Sequence, residues 1–292
     1  MQKLRHVGLE TGNLTDEELR FIDTEIIGAA WPVLHARQIY ETKTLPNAGI
    51  RSLRKYVQTD MSGAVVDMDG EDISLDRTVL TAADIQIPVL HKEFTINWRD
   101  ILAARHNNQP LDVSEGQNAG RQVAEEENFM LFTGETTAHP LLGLKGLSTA
   151  TGRNTAAGGA WPANAVANVN AGIAELETDN FNGPYILCAR VAQIRKLQTE
   201  IGTTGMTYLQ FMLSNGILDG VIADDSIYTT ADATTSALVV QPGRENFELV
   251  LGQDVTTWEY GLQNMNKLFR VYEVATPNIK RAESICELTG LS

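Results

Sequence analysis

The stretch from residue 114 to residue 134 reads SEGQNAGRQVAEEENFMLFTG and is the strongest local signal in the chain. Ser114, followed three residues later by Gln117, makes a capping box, which predicts the first turn of a helix. The pattern then runs without a helix breaker to about Thr133, so it predicts a helix of roughly twenty residues, about 30 Å long. Small residues form a stripe along one side of it (Gly116, Gly120, Ala124).

Three consecutive glutamates, Glu125, Glu126 and Glu127, lie inside this predicted helix. At about 100° per residue they fan over more than half of the helix circumference, so they cannot all face one way. At least one is therefore expected to meet a core edge or a partner surface. Two interpretations stay open: a solvated helix face, or charge contacts with an arginine of a neighbouring subunit.

Upstream of this helix, the sequence predicts one more helix and then a β-ribbon. Thr15 and Glu18 make a second capping box, and apolar residues at helical spacing predict a short amphipathic helix that ends near Trp31 and Pro32. Between residues 45 and 96, strand-like pieces (50–57, 73–80, 85–94) are separated by turn residues. These pieces predict a projecting ribbon that must bury its faces against something else, because an isolated hairpin is marginal in water.

Downstream, short helices and strands alternate irregularly. Helices are predicted over 98–105, 164–176, 191–201 and 208–213, and strands over 186–188, 217–223, 237–240, 247–251, 255–260 and 267–274. The intervening stretches 203–205 and 224–236 are predicted to be loops. The fold class that follows is α+β.

Composition narrows the class of protein. The chain has 292 residues, and 23 Lys and Arg against 37 Asp and Glu give a net charge of −14. This balance argues against a nucleic-acid reader or a polybasic membrane-surface protein, because both need a basic face. Two cysteines, Cys188 and Cys286, cannot form a disulfide framework, and no apolar run approaches the length of a membrane span. A soluble, intracellular protein without a membrane partner is therefore expected.

Enzyme signatures fail on inspection. The five histidines show no metal-ligand spacing, no Gly-x-Ser-x-Gly elbow occurs, and the glycines around Lys145 lack the end of a phosphate-binding loop. An acidic knot (Asp67, Asp69, Glu71, Asp72) offers oxygen ligands to calcium, but a solvated turn explains it better because the glycine falls too early for an EF-hand. We therefore predict no catalytic residue, no cofactor and no metal, and a protein that is not an enzyme.

The order of these pieces resembles the shell proteins of the HK97 (Hong Kong 97) bacteriophage capsid fold, and within them the encapsulins. The residues that carry the resemblance occur in the same order in both: Val-Ala-Glu-Glu-Glu at 123–127 leading to Phe-Thr-Gly at 132–134, Gly-Leu-Lys-Gly-Leu at 143–147, Gly-Pro-Tyr at 183–185, Leu-Val-Leu-Gly-Gln-Asp at 249–254, and Leu-Phe-Arg-Val-Tyr-Glu at 268–273 with Pro277 and Asn278. The resemblance is collinear over residues 14–285.

The resemblance implies a division of the chain. Residues 1–44 would be an N-terminal arm and helix, 45–96 an extended E-loop, 97–140 with 252–292 a P-domain containing the long spine helix, and 141–251 an A-domain. The loops at 203–205 and 224–236 would lie near a five- or six-fold axis. Some family members cross-link an E-loop lysine to a P-domain asparagine of another subunit, which implies Lys55 and Asn278 as the pair here.

Two shell functions follow from the resemblance. The first is a phage major capsid protein, a homo-oligomer of pentamers and hexamers in an icosahedral virion capsid that is assembled in the host cytoplasm around DNA. Packaged DNA would be its content without sequence-specific binding, and separate scaffold, portal and decoration proteins would be its partners. The alternative is an encapsulin-type cytoplasmic nanocompartment around a cargo enzyme, whose peptide would dock in an apolar groove between the N-terminal helix and the P-domain.

Departures from the encapsulin pattern favour the phage capsid. The start of the chain is longer, the Thr/Ala/Asn-rich stretch 148–170 is longer than a minimal encapsulin needs, and His35-Ala36-Arg37 stands where encapsulins carry Gly-Arg-Arg. An enzyme of unknown type is the third hypothesis, and the missing catalytic constellation argues against it.

Overall fold

A computed structural model describes residues 14–58, 64, 66, 68, 80–107, 109–135, 142–227 and 237–291. Its helices are α1 (Asp16–Ala30), α2 (Trp98–Asn107), α3 (Ser114–Phe132), α4 (Ala165–Thr178), α5 (Val191–Leu197) and α6 (Tyr208–Ser214). Its strands are β1 (Glu41–Thr44), β2 (Ser52–Gln58), β3 (Leu80–Gln86), β4 (Val89–Ile96), β5 (Asn154–Ala157), β6 (Ile186–Ala189), β7 (Gly220–Ala223), β8 (Ala237–Val240), β9 (Phe247–Gln263), β10 (Asn266–Ile279) and β11 (Ile285–Thr289). The fold is α+β, as the sequence predicts.

These strands form three sheets. The first has four strands in the order β1-β9-β10-β4, and its centre is the long antiparallel hairpin of β9 and β10. The second has five strands in the order β5-β11-β8-β6-β7. The third is a two-stranded ribbon, in which β2 and β3 pair antiparallel from Ser52 opposite Gln86 to Gln58 opposite Leu80. The ribbon strand predicted at 85–94 is wrong as one strand, because it is divided between the end of β3 and β4, and β4 pairs with β10 in the first sheet.

The first hydrophobic core lies between the four-stranded sheet and the pair α1–α3. Ile22 and Ile26 of α1 are fully buried, and Phe94 stacks on Phe269 with ring centroids 5.2 Å apart. The stripe of small residues on α3 is where α1 approaches, because a Cβ at Gly120 would lie 2.7 Å from the side chain of Ile26 and 2.9 Å from its carbonyl oxygen. Glycine at this position therefore sets the distance between the two helices.

The second core lies between α4 and the five-stranded sheet. Val169 and Leu176 of α4 are fully buried there with Leu187 and Leu288. Strand β11 pairs with β8 antiparallel and with β5 in parallel, so the last described strand of the chain belongs to this sheet. Among the described helices, none is long and apolar enough to span a membrane.

The helix ends test the predicted caps. At α1 the capping box is confirmed: Thr15 Oγ1 accepts a hydrogen bond from the amide of Glu18, and the Glu18 carboxylate accepts one from the amide of Thr15. At α3 the predicted bounds hold, but the capping box does not form. Val113 is the capping residue, and Ser114 donates its amide to Asp112 Oδ1 at 3.0 Å, so the aspartate two residues upstream takes the place of the predicted serine.

Several strand and helix limits differ from the prediction. The separate strands expected at 247–251 and 255–260 are one strand, because β10 pairs with β9 along its whole length through three irregularities in the register. The helix expected over 191–201 ends at Leu197, and the strand expected over 217–223 begins at Gly220. The piece expected over 73–80 lies outside the described residues except for its last residue.

Candidate functional site

The base of the ribbon packs on the face of the β9–β10 hairpin that points away from α3. A small apolar cluster joins them, with Val250 and Val274 buried on the hairpin and Leu45, Ala48, Ile50 and Leu53 packed against them. Thr276 Oγ1 also donates to the carbonyl of Gln86 at 3.0 Å. Farther along, Arg54 and Asp84 pair with most of each side chain in solvent. The ribbon is therefore anchored at its base and presents exposed polar side chains beyond it.

Lys55 and Asn278, the pair implied for a cross-link, lie close to the same end of β10. The half-buried Lys55 ammonium donates to the carbonyl of Ile279, and burial lowers its pKa. Asn278 is buried, and its Nδ2 donates to Glu248 Oε2 at 3.2 Å. Both contacts are made within one chain, so a cross-link between subunits stays a prediction.

Glu248 is the centre of what we call the cation cluster, formed with Lys43, Arg244 and Lys280. Lys280 Nζ lies 2.7 Å from its carboxylate, Arg244 Nε 3.8 Å and Lys43 Nζ 4.0 Å. Burial alone would raise the pKa of Glu248, but the hydrogen bond and charge of Lys280, aided by Lys43 and Asn278, hold it below its usual value. A buried carboxylate is thus kept ionised by surplus positive charge.

A second group, which we call the acid cluster, consists of Arg37, Glu127, Asp254 and Glu273 and has more carboxylates than cations. Arg37 follows α1 in a short 3₁₀ turn (Ala36–Gln38), and its guanidinium reaches Glu127 of α3, Asp254 of β9 and Glu273 of β10. Glu127 and Glu273 are fully buried, whereas about half of the Asp254 side chain is exposed. One cation therefore joins three carboxylates from three separate elements.

The three consecutive glutamates have three different environments. Glu127 faces the core and binds Arg37 through both oxygens, at 2.9 Å each. Glu125 is exposed and pairs with Arg121 one turn earlier at 3.4 Å. Glu126 is half-buried at the edge of an open depression beside Phe129. The expectation that one of them meets a core edge holds for Glu127; contacts of this run with a neighbouring subunit stay a prediction.

The next residue of α3 ties the same N-terminal segment to the loop after β7. Asn128 Oδ1 accepts from the amide of Ala36 at 2.8 Å, and its Nδ2 donates to Asp224 Oδ2 at 2.5 Å. Asp224 also contacts His35 Nδ1 at 2.7 Å. Of the loop predicted over 224–236, only residues up to 227 lie within the described part of the chain.

The turn predicted at 203–205 is a compact exposed loop. It closes where Glu200 and Thr207 bridge, and the amide of Gly205 donates to the Glu200 side chain at 2.6 Å. Gly202 and Gly205 have positive φ angles of 58° and 73°, which glycine adopts without strain.

A groove of about 320 Å³ runs between α1 and the end of α2. Phe21 of α1 is 38% exposed in it, and Ala104, Pro110 and Leu111 supply further apolar surface. Arg105 closes one side by donating to both oxygens of Glu18, at 2.9 and 2.7 Å. The hydrogen bond from Arg105 lowers the pKa of Glu18 to about 2, so this pair stays charged at neutral pH. The groove therefore combines an exposed aromatic ring with a charged rim.

The remaining candidates for chemistry are groups of metal ligands and the two cysteines. Within the described ranges, no group of three or more His, Cys, Asp or Glu side chains is arranged to hold a metal. All four residues of the acidic knot (Asp67, Asp69, Glu71, Asp72) lie outside those ranges. Cys188 and Cys286 are both fully buried, and burial raises the pKa of both thiols, that of Cys286 to about 12. Neither is therefore a reactive nucleophile.

Sequence comparisons point to one family. The profile of the family Linocin_M18, "Encapsulating protein for peroxidase", matches residues 9–276. The type 1 encapsulin shell protein EncA of Myxococcus xanthus is 30% identical over 95% of this chain and 94% of its own length. A diheme-cytochrome–encapsulin shell fusion protein of Kuenenia stuttgartiensis is 26% identical over 78% of this chain and 60% of its own length.

Comparison of structures gives the same fold. A virus-like particle from Pyrococcus furiosus superimposes with a TM-score of 0.67 at 19% identity, covering 94% of this chain and 98% of the other. The capsid of Myoviridae phage XM1 superimposes with a TM-score of 0.62 at 16% identity, covering 88% and 92%. The structural matches show that the chain has the HK97 capsid fold. The family profile matches most of the chain, and a shell protein is 30% identical over nearly its full length, so the chain belongs to the encapsulin family.

Proposed function

We propose that the chain is the subunit of an encapsulin nanocompartment, a closed cytoplasmic shell that encloses a cargo protein. This proposal rests on the 30% identity to the M. xanthus protein over nearly the full length of both chains, since that protein is named as a shell protein. The phage capsid, which the sequence alone favours, has structural neighbours such as the capsid of phage XM1 at 16% identity, and such a likeness supports the fold alone. A genome, portal and scaffold are therefore not part of the proposal.

The segments of the fold have proposed roles in such a shell. Residues 45–96 would be the E-loop, 97–140 and 252–292 the P-domain around α3 and the hairpin, and 141–251 the A-domain. Strand β11 completes the five-stranded sheet, so on this division the P-domain segment contributes one strand to the A-domain. The ribbon, whose described contacts with its own subunit lie at its base, would lie over a neighbour, and repeated head-to-tail contacts of this kind close a shell.

Cargo would bind in the groove between α1 and α2. A peptide segment with one apolar anchor would cover the ring of Phe21, which is otherwise exposed to water beside Ala104 and Pro110. The Glu18–Arg105 pair gives this groove a rim that can accept and donate hydrogen bonds to a peptide backbone.

The shell is tested by light scattering and negative-stain electron microscopy of the purified protein. We expect closed particles of uniform diameter. A stable monomer or dimer that never forms particles would disprove the shell. Particles filled with nucleic acid, seen as a high ratio of absorbance at 260 nm to that at 280 nm, would favour a capsid instead.

The groove is tested by purifying the particles from the source organism together with the protein that they enclose. Phe21→Ala should lower the amount of protein that co-purifies with the particles and leave the particle diameter unchanged. Trp31→Ala is the matched control, since Trp31 is an exposed aromatic residue at the end of α1 outside the groove. Equal cargo in both variants would place the docking site elsewhere.

A further inference from the structure

The central nitrogen of the acid cluster carries fewer hydrogens than there are carboxylate oxygens around it. Arg37 Nη2 carries two hydrogens, yet three carboxylate oxygens lie around it: Glu273 Oε1 at 2.7 Å, Glu127 Oε2 at 2.9 Å and Asp254 Oδ1 at 3.0 Å. Arg37 Nε is already used by the other oxygen of Glu127. If all three carboxylates were ionised, the cluster would hold two unbalanced negative charges, with both glutamates fully buried.

One oxygen shows where the missing hydrogen belongs. Glu273 Oε2 is buried and has no hydrogen-bond partner among the described residues, while Glu127 contacts the same Arg37 nitrogen as the other oxygen of Glu273. Two ionised carboxylates repel each other, whereas a carboxyl group and a carboxylate form a strong hydrogen bond. A proton on Glu273 would supply the donor and remove one of the unbalanced charges.

We propose that Glu273 keeps its proton at neutral pH and shares it with Glu127, so that the acid cluster is a proton-dependent latch joining the N-terminal segment, α3 and the β9–β10 hairpin. The charged groups that face Glu273 are Arg37 from the 3₁₀ turn, Glu127 from α3 and Asp254 from β9. Removing the proton would set two buried carboxylates against each other at the junction of these elements.

The surroundings of Glu273 shift its pKa in the direction that the shared proton requires. Burial raises the pKa of Glu273 well above its ordinary value, the charges of Glu127 and Asp254 raise it further, and Arg37 opposes them. In the unfolded chain the same group has its ordinary pKa of 4.5. Between pH 4.5 and the raised pKa, Glu273 is therefore more protonated in the folded chain than in the unfolded chain. Its contribution to stability is present below pH 4.5 and is lost as the pH rises through the raised pKa.

Infrared spectroscopy of the purified protein tests the proton directly. We expect the carbonyl stretch of a protonated carboxyl group at pH 7 in the wild type and its loss in Glu273→Gln. The glutamine is isosteric and neutral, so it imitates the protonated side chain. A wild type without this band, or a band that persists in Glu273→Gln, would overturn the proposal.

Thermal unfolding between pH 5 and pH 10 tests the latch. Glu273→Gln should match the wild type near pH 5 and exceed its Tm by about 3 °C or more at pH 9, since the variant has no proton to lose. Glu248→Gln is the matched control: it is also a buried glutamate on the hairpin, but its pKa is lowered, so it should give no gain at high pH. A gain in the control, or none in Glu273→Gln, would contradict the latch.

Glu127→Gln covers the case in which Glu273→Gln does not fold. Its amide can donate to Glu273 Oε2 while its carbonyl accepts from Arg37, so it should also flatten the fall of Tm at high pH. If it keeps the wild-type slope, the shared proton is excluded. If neither variant folds, the infrared band of the wild type at pH 7 decides.

Discussion

Glu248 and Glu273 are both buried on the β9–β10 hairpin, but their carboxylates meet opposite surroundings. Glu248 is approached by three cations and accepts a hydrogen bond from Asn278, and its pKa is lowered. Glu273 shares a single cation with two other carboxylates, and its pKa is raised. Burial disfavours the charge at both sites and is the largest cause of the raised pKa of Glu273, whereas at Glu248 the surrounding cations reverse the direction of the shift.

The largest effect is expected from removing the one cation of the acid cluster. Arg37→Met leaves the buried Glu127 carboxylate without a counter-charge, and it should lower the free energy of unfolding by about 3–5 kcal/mol. Denaturant unfolding at pH 7 measures this loss. Arg37→Lys keeps the charge but not the two-pronged contact with Glu127, so an intermediate loss is expected. A loss equal to that of Arg37→Met would show that geometry and not charge holds the cluster.

The cation cluster should tolerate the equivalent change better. Lys280→Met removes the closest cation from Glu248, but Lys43, Arg244 and Asn278 remain, so we expect a loss of about 1–3 kcal/mol. Because the pKa of Glu248 is lowered, its contribution is present above the ordinary pKa of 4.5 and is lost as the pH falls. The difference from the wild type should therefore shrink below pH 4.5.

Arg281→Met is the control for Lys280→Met, since Arg281 is an exposed cation one residue farther along the chain. Unfolding at pH 7 should leave it within error of the wild type. If Lys280→Met costs as much as Arg37→Met, the surplus cations do not protect Glu248 and the contrast between the two clusters fails.

Breaking the partly exposed Glu18–Arg105 pair should lower stability by a smaller amount, and its pH dependence should be opposite to that of Glu273. Glu18→Gln keeps the capping geometry of α1 but loses the charge partner of Arg105, for an expected loss of about 0.5–1 kcal/mol. The pKa of Glu18 is lowered from 4.5 to about 2, so the contribution is lost as the pH falls through this range. A double-mutant cycle with Arg105→Gln checks that the loss belongs to the pair.

The smallest effect is expected on the ribbon. Asp84→Asn removes the partner of Arg54, where both side chains are more than half exposed, at 56% and 61%. Water screens such a pair, so the Tm of the purified protein should not change measurably. A clear fall in Tm together with fewer closed particles would mean that this pair contacts another subunit.

Local patterns predicted the elements better than the contacts between them. The bounds of α3 follow from its unbroken helical pattern, and the capping box of α1 follows from Thr15 and Glu18, because both signals lie within a few residues. The cap of α3 was wrong because Asp112, two residues before Ser114, supplies the acceptor. A side chain just outside the recognised motif is sufficient to replace it.

The acid cluster could not be predicted in the same way. Arg37 is 90 residues from Glu127 and 236 from Glu273, and no spacing rule links such positions. The run of three glutamates indicated that one carboxylate would face the interior, but not which partner it would find. The sequence feature that came nearest to indicating the acid cluster was Arg37, which lies in the segment where encapsulins carry Gly-Arg-Arg.

The burial of both cysteines has a practical consequence for conjugation chemistry. The chain has two thiols in total, and both are shielded and have raised pKa values. A cysteine introduced on the exposed turn at residues 201–206, for example Thr203→Cys, would therefore be the single site for maleimide labelling of the folded chain. One fluorophore or crosslinker per subunit could be attached without first replacing the native cysteines.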